Sequence, residues 1–507
     1  MIGLPTGKRA VNSLLVRIDS RSREPLQQQV YAGIRRAILD GVIRPGTRLP
    51  SSRALAADLG VSRTTTVVAI EQLTAEGYLT ARHGSGTFVA RTLPDDLLPA
   101  RVLPAASARV RSLSHRGAAL TGVPSAGWRV GGPPRAFRIG VPALDLFPVR
   151  VWSRLVGRRT RSATLAQLDY NEVAGVRGLR EAIADHVTAA RGTRCTADQV
   201  FIVAGAQRGI EEICRCLLDH GDRVFLEDPG FPGARSALVS AGAEIVPAPV
   251  DGFGADVPRA ARRHGDARLA YVTPSHQFPL GVAMSLARRQ ALLEWANAAG
   301  AWIVEDDYDS EFRYGARPLP CLHGLDPDGR VIYVGSFSKS LFPALRLGFL
   351  IMPPDLQQQL VAARRAADLH PPTLDQLVLA DLMSEGHFER HLRRMRSAYR
   401  ERRDALVAAV DRSCRGALRL RPIHTGLHAV ADLDEGDAGT VFSEAARRGI
   451  EVMPLSAYSV SPRSANALVL GFACARPDTL RAGMEQLAAA IEAAARPAAR
   501  VRTASGR

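Results

Sequence analysis

Lys339 carries the most explicit chemistry in this sequence. It lies within V-I-Y-V-G-S-F-S-K-S-L-F-P-A-L-R-L-G-F, which runs from Val331 to Phe349. The chain holds 66 Lys plus Arg, and Lys8 and Lys339 are its only lysines. Where arginine has displaced lysine almost everywhere, a lysine that stays is one that arginine cannot replace. A guanidinium keeps its charge, whereas an amine can lose its proton and attack. The reaction that asks for an amine is Schiff-base formation with a carbonyl. Around Lys339 stand Gly335, Ser336, Ser338 and Ser340, and Arg346 follows seven residues on. Hydroxyls beside a guanidinium suit a phosphate. An amine for an aldehyde, next to groups for a phosphate, points to pyridoxal 5′-phosphate.

Four other loops can complete such a site, and each follows an apolar, strand-like run. Gly205-Ala206-Gln207 opens a helix after Gln199–Val203, so its amides can cradle a phosphate. Glu227-Asp228-Pro229-Gly230-Phe231-Pro232-Gly233 follows Arg223–Leu226 and offers Phe231 as a flat face for an aromatic ring. Pro274-Ser275-His276-Gln277-Phe278-Pro279 follows Ala270–Val272, and Glu305-Asp306-Asp307-Tyr308-Asp309 follows Trp302–Val304. A carboxylate at a strand end can keep a pyridine nitrogen protonated, which makes the ring an electron sink.

Those runs alternate with helical patterns at Val176–Ala190 and Gly209–Leu218, and Val331–Val334 supplies a further strand. That rhythm predicts an α/β domain over 135–495 with a mainly parallel sheet and ligands at the carboxyl ends of its strands. A length of 507 residues exceeds one ordinary domain of about 150. The stretch 92–134, rich in Ala, Arg, Pro, Ser and Gly, reads as a flexible basic linker. A net charge of +16 suggests a polyanionic partner without proving one. The six cysteines show no paired or zinc-like spacing, so neither disulfides nor a metal is expected, and a reducing cytoplasm fits. No leader-like or membrane-length apolar run stands out.

The remaining segment, 15–91, reads as a helix-turn-helix with a wing. Pro25 opens a helix whose Leu26, Val30, Ile34 and Ile38 form one stripe. Ser51 or Ser52 caps a second helix that Gly60 stops, and Val61-Ser62 starts a third with Val67, Ile70 and Leu73 inward. Short hydroxyls and an Arg at the start of that helix, S-R-T-T-T, can reach base edges and phosphates. Tyr78–Arg82 and Thr87–Ala90 alternate as a small hairpin.

L-P-S-S-R-A-L-A-A-D-L-G-V-S-R-T-T-T and E-G-Y-L-T-A-R-H-G-S-G-T-F-V resemble the GntR winged-helix domain over nearly its whole length. The resemblance implies that Arg53, Arg63, Thr64, Thr65, His83 and Gly84 contact double-stranded DNA. The larger segment resembles fold-type I aminotransferases through Y-N-E-V-A-G-V-R-G-L-R, E-D-P-G-F-P-G, T-P-S-H-Q-F-P, V-E-D-D-Y-D-S-E-F and S-F-S-K-S-L-F-P-A-L-R-L-G. Together the two modules resemble the MocR/GabR-type regulators. By that resemblance Lys339 is the Schiff-base lysine and Asp306, or else Asp307, pairs with the pyridine nitrogen. Tyr308 bonds the ring hydroxyl and Phe231 stacks on the ring. Ala206, Gln207, Ser336, Ser338 and Arg346 hold the phosphate. His276 is counted with the same group, and Tyr170 reaches in from the other subunit of a head-to-tail homodimer. A DNA operator and a small-molecule effector follow as partners, in the cytoplasm.

One departure stands out. Aminotransferases of this kind carry an Arg in an R-L-x-F pattern near the C-terminus, which clamps the substrate α-carboxylate. Here the stretch reads Ala467-Leu468-Val469-Leu470-Gly471-Phe472, with Val469 at the Arg position. Arg463 or Arg476 would have to compensate. Phe231-Pro232-Gly233 also lacks a charge for a second carboxylate. The expected function is a transcriptional regulator that senses an amine, an amino acid or pyridoxal phosphate itself. The alternative is an active aminotransferase with an accessory DNA-binding head.

Overall fold

Two units, Met1–Ser112 and Leu113–Arg507, make up the computed structural model. It describes residues 16–22, 24–82, 84–97, 112–123, 135–315, 320–461 and 465–495.

In the first unit, α1 (Leu26–Leu39) buries Val30, Ile34 and Ile38, while Leu26 stays largely exposed. Helix α2 (Ser52–Leu59) is capped by Ser51, whose Oγ accepts from the Ala54 amide, and it closes on Gly60 at φ +64°. Helix α3 (Arg63–Ala75) is capped in the same way by Ser62. Its buried residues are Thr66, Ala69 and Leu73, so Val67 and Ile70 sit at the margin. The expected face is rotated because the Thr66 hydroxyl is satisfied inside: it donates to Ser52 O at 2.9 Å, within reach also of Arg63 O. A hydroxyl with a backbone acceptor can be buried without penalty. Strands β1 (Leu79–Arg82) and β2 (Gly86–Val89) pair antiparallel as the wing, with Leu79 opposite Val89. Within the expected linker, Pro94–Leu97 and His115–Thr121 are helical. Asp95 accepts from the Tyr78 hydroxyl at 2.5 Å and pairs with Arg35, which ties that short helix onto the wing unit.

The second unit is organised on an eight-stranded sheet, in the order β3-β10-β9-β8-β7-β4-β5-β6. The strands are β3 (Val200–Val203), β4 (Arg223–Asp228), β5 (Glu244–Asp251), β6 (Gly254–Ala255), β7 (Leu269–Val272), β8 (Trp302–Asp307), β9 (Val331–Ser336) and β10 (Gly348–Ile351). Strands β9, β8, β7, β4 and β5 run parallel, and β10 is antiparallel to both β9 and β3. The inner strands are buried on both faces, which is why they read as unbroken apolar runs. One face packs Val224, Leu226, Val304 and Val334 against helices Ala206–Leu217 and Pro232–Ala241. On the other face Phe225, Ala270 and Ile303 meet helix Leu286–Ala299. A smaller antiparallel sheet holds β11 (Leu418–Leu420), β12 (His428–Leu433), β13 (Met453–Pro454) and β14 (Ala467–Gly471), in the order β11-β12-β14-β13.

Strand β8 runs through Asp307, so Glu305, Asp306 and Asp307 belong to the strand and not to the loop after it. Alternation then sends successive carboxylates to opposite faces. Glu305 accepts from the Leu322 and His323 amides, and Asp307 pairs with Arg191 at 2.6 Å and accepts from the Tyr333 hydroxyl.

One buried ion pair anchors the edge of the sheet. Arg364 donates twice to Glu212, at 2.8 Å each, and also to Val173 O and Ile202 O. Glu212→Ala should leave that guanidinium buried without its counter-charge. The expected loss is about 3–5 kcal/mol, read from chemical denaturation of the full-length protein.

Candidate functional site

The carboxyl ends of β3, β4, β7, β8 and β9 open onto one cavity of about 410 Å³. Its wall brings together Ala206, Gln207, Phe231, Asp306, Tyr308, Ser336, Ser338, Lys339 and Arg346. Residues far apart in the chain meet here because parallel strands end on one side of the sheet.

Two ionisable groups of this wall, Asp306 and Lys339, feel each other's charge. Asp306 is buried, and burial pushes its carboxyl up to about 7, although the Tyr271 hydroxyl and Lys339 pull the other way. Oxygen Oδ2 accepts from Tyr271 at 2.5 Å, while Oδ1 is buried with no hydrogen-bond partner among the described residues. A cationic N–H aimed at Oδ1 would relieve that. Burial lowers Lys339 from 10.5 to about 8, against the opposing pull of Asp309 and Asp306. Its amine donates to Gly140 O at 2.7 Å, on the strap Arg135–Gly140.

At the other end the groups suit an anion. Ala206 and Gln207 are the first two residues of their helix, so their amides have no intrahelical acceptor. The preceding Gly205 is held at φ +86°, and a Cβ there would lie 3.2 Å from the Arg346 guanidinium. Arg346, itself at φ +51°, donates to Ala204 O. Ser336 Oγ accepts from the Ser338 amide. Between the ends lies Phe231. A Cβ on Gly233 would fall 2.5 Å from its ring, and Gln207 Nε2 donates to Gly233 O at 2.8 Å. Amine, unmet carboxylate oxygen, flat ring face and anion cradle together fit pyridoxal phosphate.

Three expected participants stand elsewhere. His276 is not in the wall. It is buried behind Tyr308, with Nδ1 2.9 Å from both the Tyr308 hydroxyl and Asp309 Oδ1. Asp307 is taken up on the opposite face of the sheet, so of the two it is Asp306 that lines the cavity. Tyr170 is 80% exposed and does not line the cavity of its own chain. His276, Asp309 and His428 lie close enough to hold a metal ion, but both rings already have hydrogen-bond partners, His428 through Pro279 O. Val469 is fully buried with Val430, Leu455, Tyr458 and Ala467, beside Ile139, Phe278 and Met453. Arg463 lies outside the described residues, and Arg476 pairs with Asp145.

Several residues not picked out in advance shape the wall. Tyr271 holds Asp306, and Glu227 accepts from the Thr273 amide and Gln277 to brace the loop that carries Phe278. Tyr271 was a polar letter inside a strand, a usable signal. The strap with Arg138, which pairs with Glu451 at 3.6 Å, gave none.

On the first unit Arg53, Arg63 and Thr64 are exposed at the starts of α2 and α3. Thr65 is half-buried, and its hydroxyl shares a hydrogen with Ser62 at 2.8 Å. Gly84 lies exposed in the wing turn at φ +72°, and His83 lies outside the described residues. Two further cations border the wing. Arg48 lies against Gly86, and Arg82 stacks on Phe88 at 5.0 Å.

Comparison with known proteins divides the chain along the same line. A family profile described as "Bacterial regulatory proteins, gntR family" matches residues 26–89, and one described as "Aminotransferase class I and II" matches 156–494. The probable rhizopine catabolism regulatory protein MocR of Rhizobium meliloti is 40% identical over 94% of this chain and 95% of its own length. The pyridoxine biosynthesis transcriptional regulator PdxR of Corynebacterium glutamicum is 33% identical over 94% and 98%. Among solved structures, the α-aminoadipate aminotransferase LysN of Thermus thermophilus, complexed with N-(5′-phosphopyridoxyl)-L-leucine, is 30% identical. The match covers 70% of this chain and 92% of that one, with a TM-score of 0.65.

Because Lys339 is lowered to about 8, its capture by a small aldehyde under reducing conditions should rise with pH through a midpoint near 8. An ordinary lysine would titrate near about 10.4. Peptide mapping by mass spectrometry separates Lys339 from Lys8, and Lys339→Ala should abolish the modification at that site.

Proposed function

The chain belongs to the MocR-type transcriptional regulators, with a GntR-family DNA-binding head and an aminotransferase-like domain that binds pyridoxal phosphate, and on that premise we propose that its cavity senses an amine, or the cofactor itself, and passes the signal to operator binding. The observation that carries this reading is the joint presence of a winged helix and a cavity whose wall holds both Lys339 and Asp306.

In this reading Lys339 takes the cofactor aldehyde and Asp306 accepts the pyridinium N–H. Phe231 stacks on the ring, and Tyr308 bonds the ring oxygen. The amides of Ala206 and Gln207, with Ser336, Ser338 and Arg346, hold the phosphate. The group, once bound, supplies an electron-poor ring that makes an amine at its aldehyde carbon detectable. Arg53, Arg63, Thr64, Thr65 and the wing turn contact DNA, where backbone contacts set register and base contacts set sequence.

The amine preference rests on Val469. A bidentate guanidinium would orient a carboxylate, and an aliphatic side chain in an apolar cluster cannot. Arg138 is already paired with Glu451. A homodimer, which we take to be paired head to tail, is supported as a dimer by the exposed apolar residues Val149, Leu165, Leu168 and Tyr170 on and just after helices Val149–Arg161 and Leu165–Leu168. Among the described residues no helix is long and apolar enough to cross a membrane, and we place the protein in the cytoplasm.

Binding to the DNA upstream of its own gene tests the regulator reading, at fixed near-physiological salt with competitor DNA. Specific binding that changes when cofactor or an amine is added supports it. Absence of specific binding together with steady transamination of an amino donor and a keto acceptor would favour the aminotransferase. Arg63→Ala should weaken specific binding by about 1–3 kcal/mol. In calorimetric titration of the cofactor-loaded protein, an amine should bind at least about tenfold tighter than the amino acid that differs from it only by the carboxylate, the loss expected when the clamping guanidinium of the R-L-x-F position is replaced by Val469. The reverse order would remove the amine reading.

A further inference from the structure

We propose that His276 and Asp309 are a positioning pair that commits the Tyr308 hydroxyl as a hydrogen-bond donor into the cavity. The proposal rests on the reading of that cavity as the pyridoxal phosphate site.

One ring nitrogen decides the direction of the hydrogen bonds. His276 Nδ1 lies 2.9 Å and 3.0 Å from the two oxygens of Asp309, and 2.9 Å from the Tyr308 hydroxyl. A ring nitrogen offers either a hydrogen or a lone pair, never both. A carboxylate only accepts, so Nδ1 carries the hydrogen. The Tyr308 oxygen, facing the same N–H, must then accept as well. Its own hydrogen therefore points away from His276, and Tyr308 lines the cavity.

The fold makes room for this arrangement. His276 and Asp309 are 3% and 1% exposed. A Cβ on Gly426, held at φ +82°, would lie 1.9 Å from His276 Cε1 and 2.8 Å from Asp309 Oδ2. Gly281, at φ +75°, leaves space beside Nε2. On the far side His428 lies 5.0 Å from the His276 ring, and its own Nε2 is engaged with Pro279 O. Two backbone positions that favour glycine thus border one histidine, which stands behind the wall and bonds to its Tyr308.

A tyrosine fixed as donor stabilises a deprotonated oxygen on whatever ring it meets. A tyrosine free to rotate could equally accept, and would favour the protonated oxygen. The pair therefore sets the proton balance of the cofactor oxygen that Tyr308 reaches. Among the described residues the other charged and titratable groups whose fields reach Tyr308 are Asp306 and Asp309 on and after β8, Asp307 from the far face of that strand, Glu227 on β4 and Tyr271 on β7, and Lys339, Arg346 and His428 share the cavity wall with it. All except Asp309 are unchanged in the single variants below.

The test is the pH midpoint of the cofactor's near-visible absorbance in the loaded, full-length protein. Asp309→Asn presents an amide that can donate to Nδ1, which moves the ring hydrogen to Nε2 and frees the Tyr308 hydroxyl to turn away from the cavity. The midpoint should rise by about one unit, a tenfold gain in proton affinity. Loss of a negative charge alone moves it the other way, since a nearby anion favours the protonated form. His276→Gln should raise it too, and in a Tyr308→Phe background Asp309→Asn should cause no rise. A midpoint that falls or stays put in Asp309→Asn, or that rises equally without the tyrosine hydroxyl, overturns the proposal. So does loss of the absorbance band from both single variants with the fold intact by circular dichroism. Absence of the band from the unaltered protein overturns the cofactor reading instead.

Discussion

A buried carboxylate with one oxygen unmet is the constraint around which the second unit is arranged. Asp306 sits at the end of a fully buried strand, where desolvation penalises its charge and raises its proton affinity. Tyr271 on the neighbouring strand answers one oxygen, and among the described residues the other stays unanswered. An amine in the same cavity is pushed the opposite way by the same burial. Each group is thus held near the point where it exchanges its proton with modest effort. A cavity that keeps an acid and an amine so poised requires walls built from several strands, and the parallel sheet supplies them.

The two units divide the work by chemistry. The head presents cations and hydroxyls on a small scaffold whose core is a few apolar residues and a satisfied Thr66. The larger unit carries the deep cores and the cavity. Communication between them requires two arrangements that a ligand binds unequally, and the proposed binding of an effector in the cavity would provide a source of that difference.

Much of this was legible in the order of residues. Apolar runs ending in chemically marked loops placed the strands, and a lysine kept among arginines located the cavity. The preference for Asp306 over Asp307 came from the family resemblance alone, because the physical reason is the parity of a strand, and β8 continues past its apolar part through Asp307. Thr66 reads as polar, so its burial was hidden until Ser52 O was found beside it. The setting of His276 depends on Gly426, far along the chain, which no local pattern reveals. The position of Val469 was legible as a departure, and its setting among Phe278, Tyr458 and Met453 emerges only from packing.

Gly233 is wedged between the Phe231 ring and the Gln207 side chain, with no room for a single added carbon, and Gln207 is bonded to its carbonyl. The ring-stacking loop and the start of the helix Ala206–Leu217 are therefore one mechanical body. A compound bulky enough to lever Phe231 aside would also drag on the turn at Ala206 and Gln207, so if that turn holds the phosphate as proposed, crowding at the aromatic face and loosening of the anion would be a single motion. On the proposed reading, size and not only chemical type would then be something this cavity could measure.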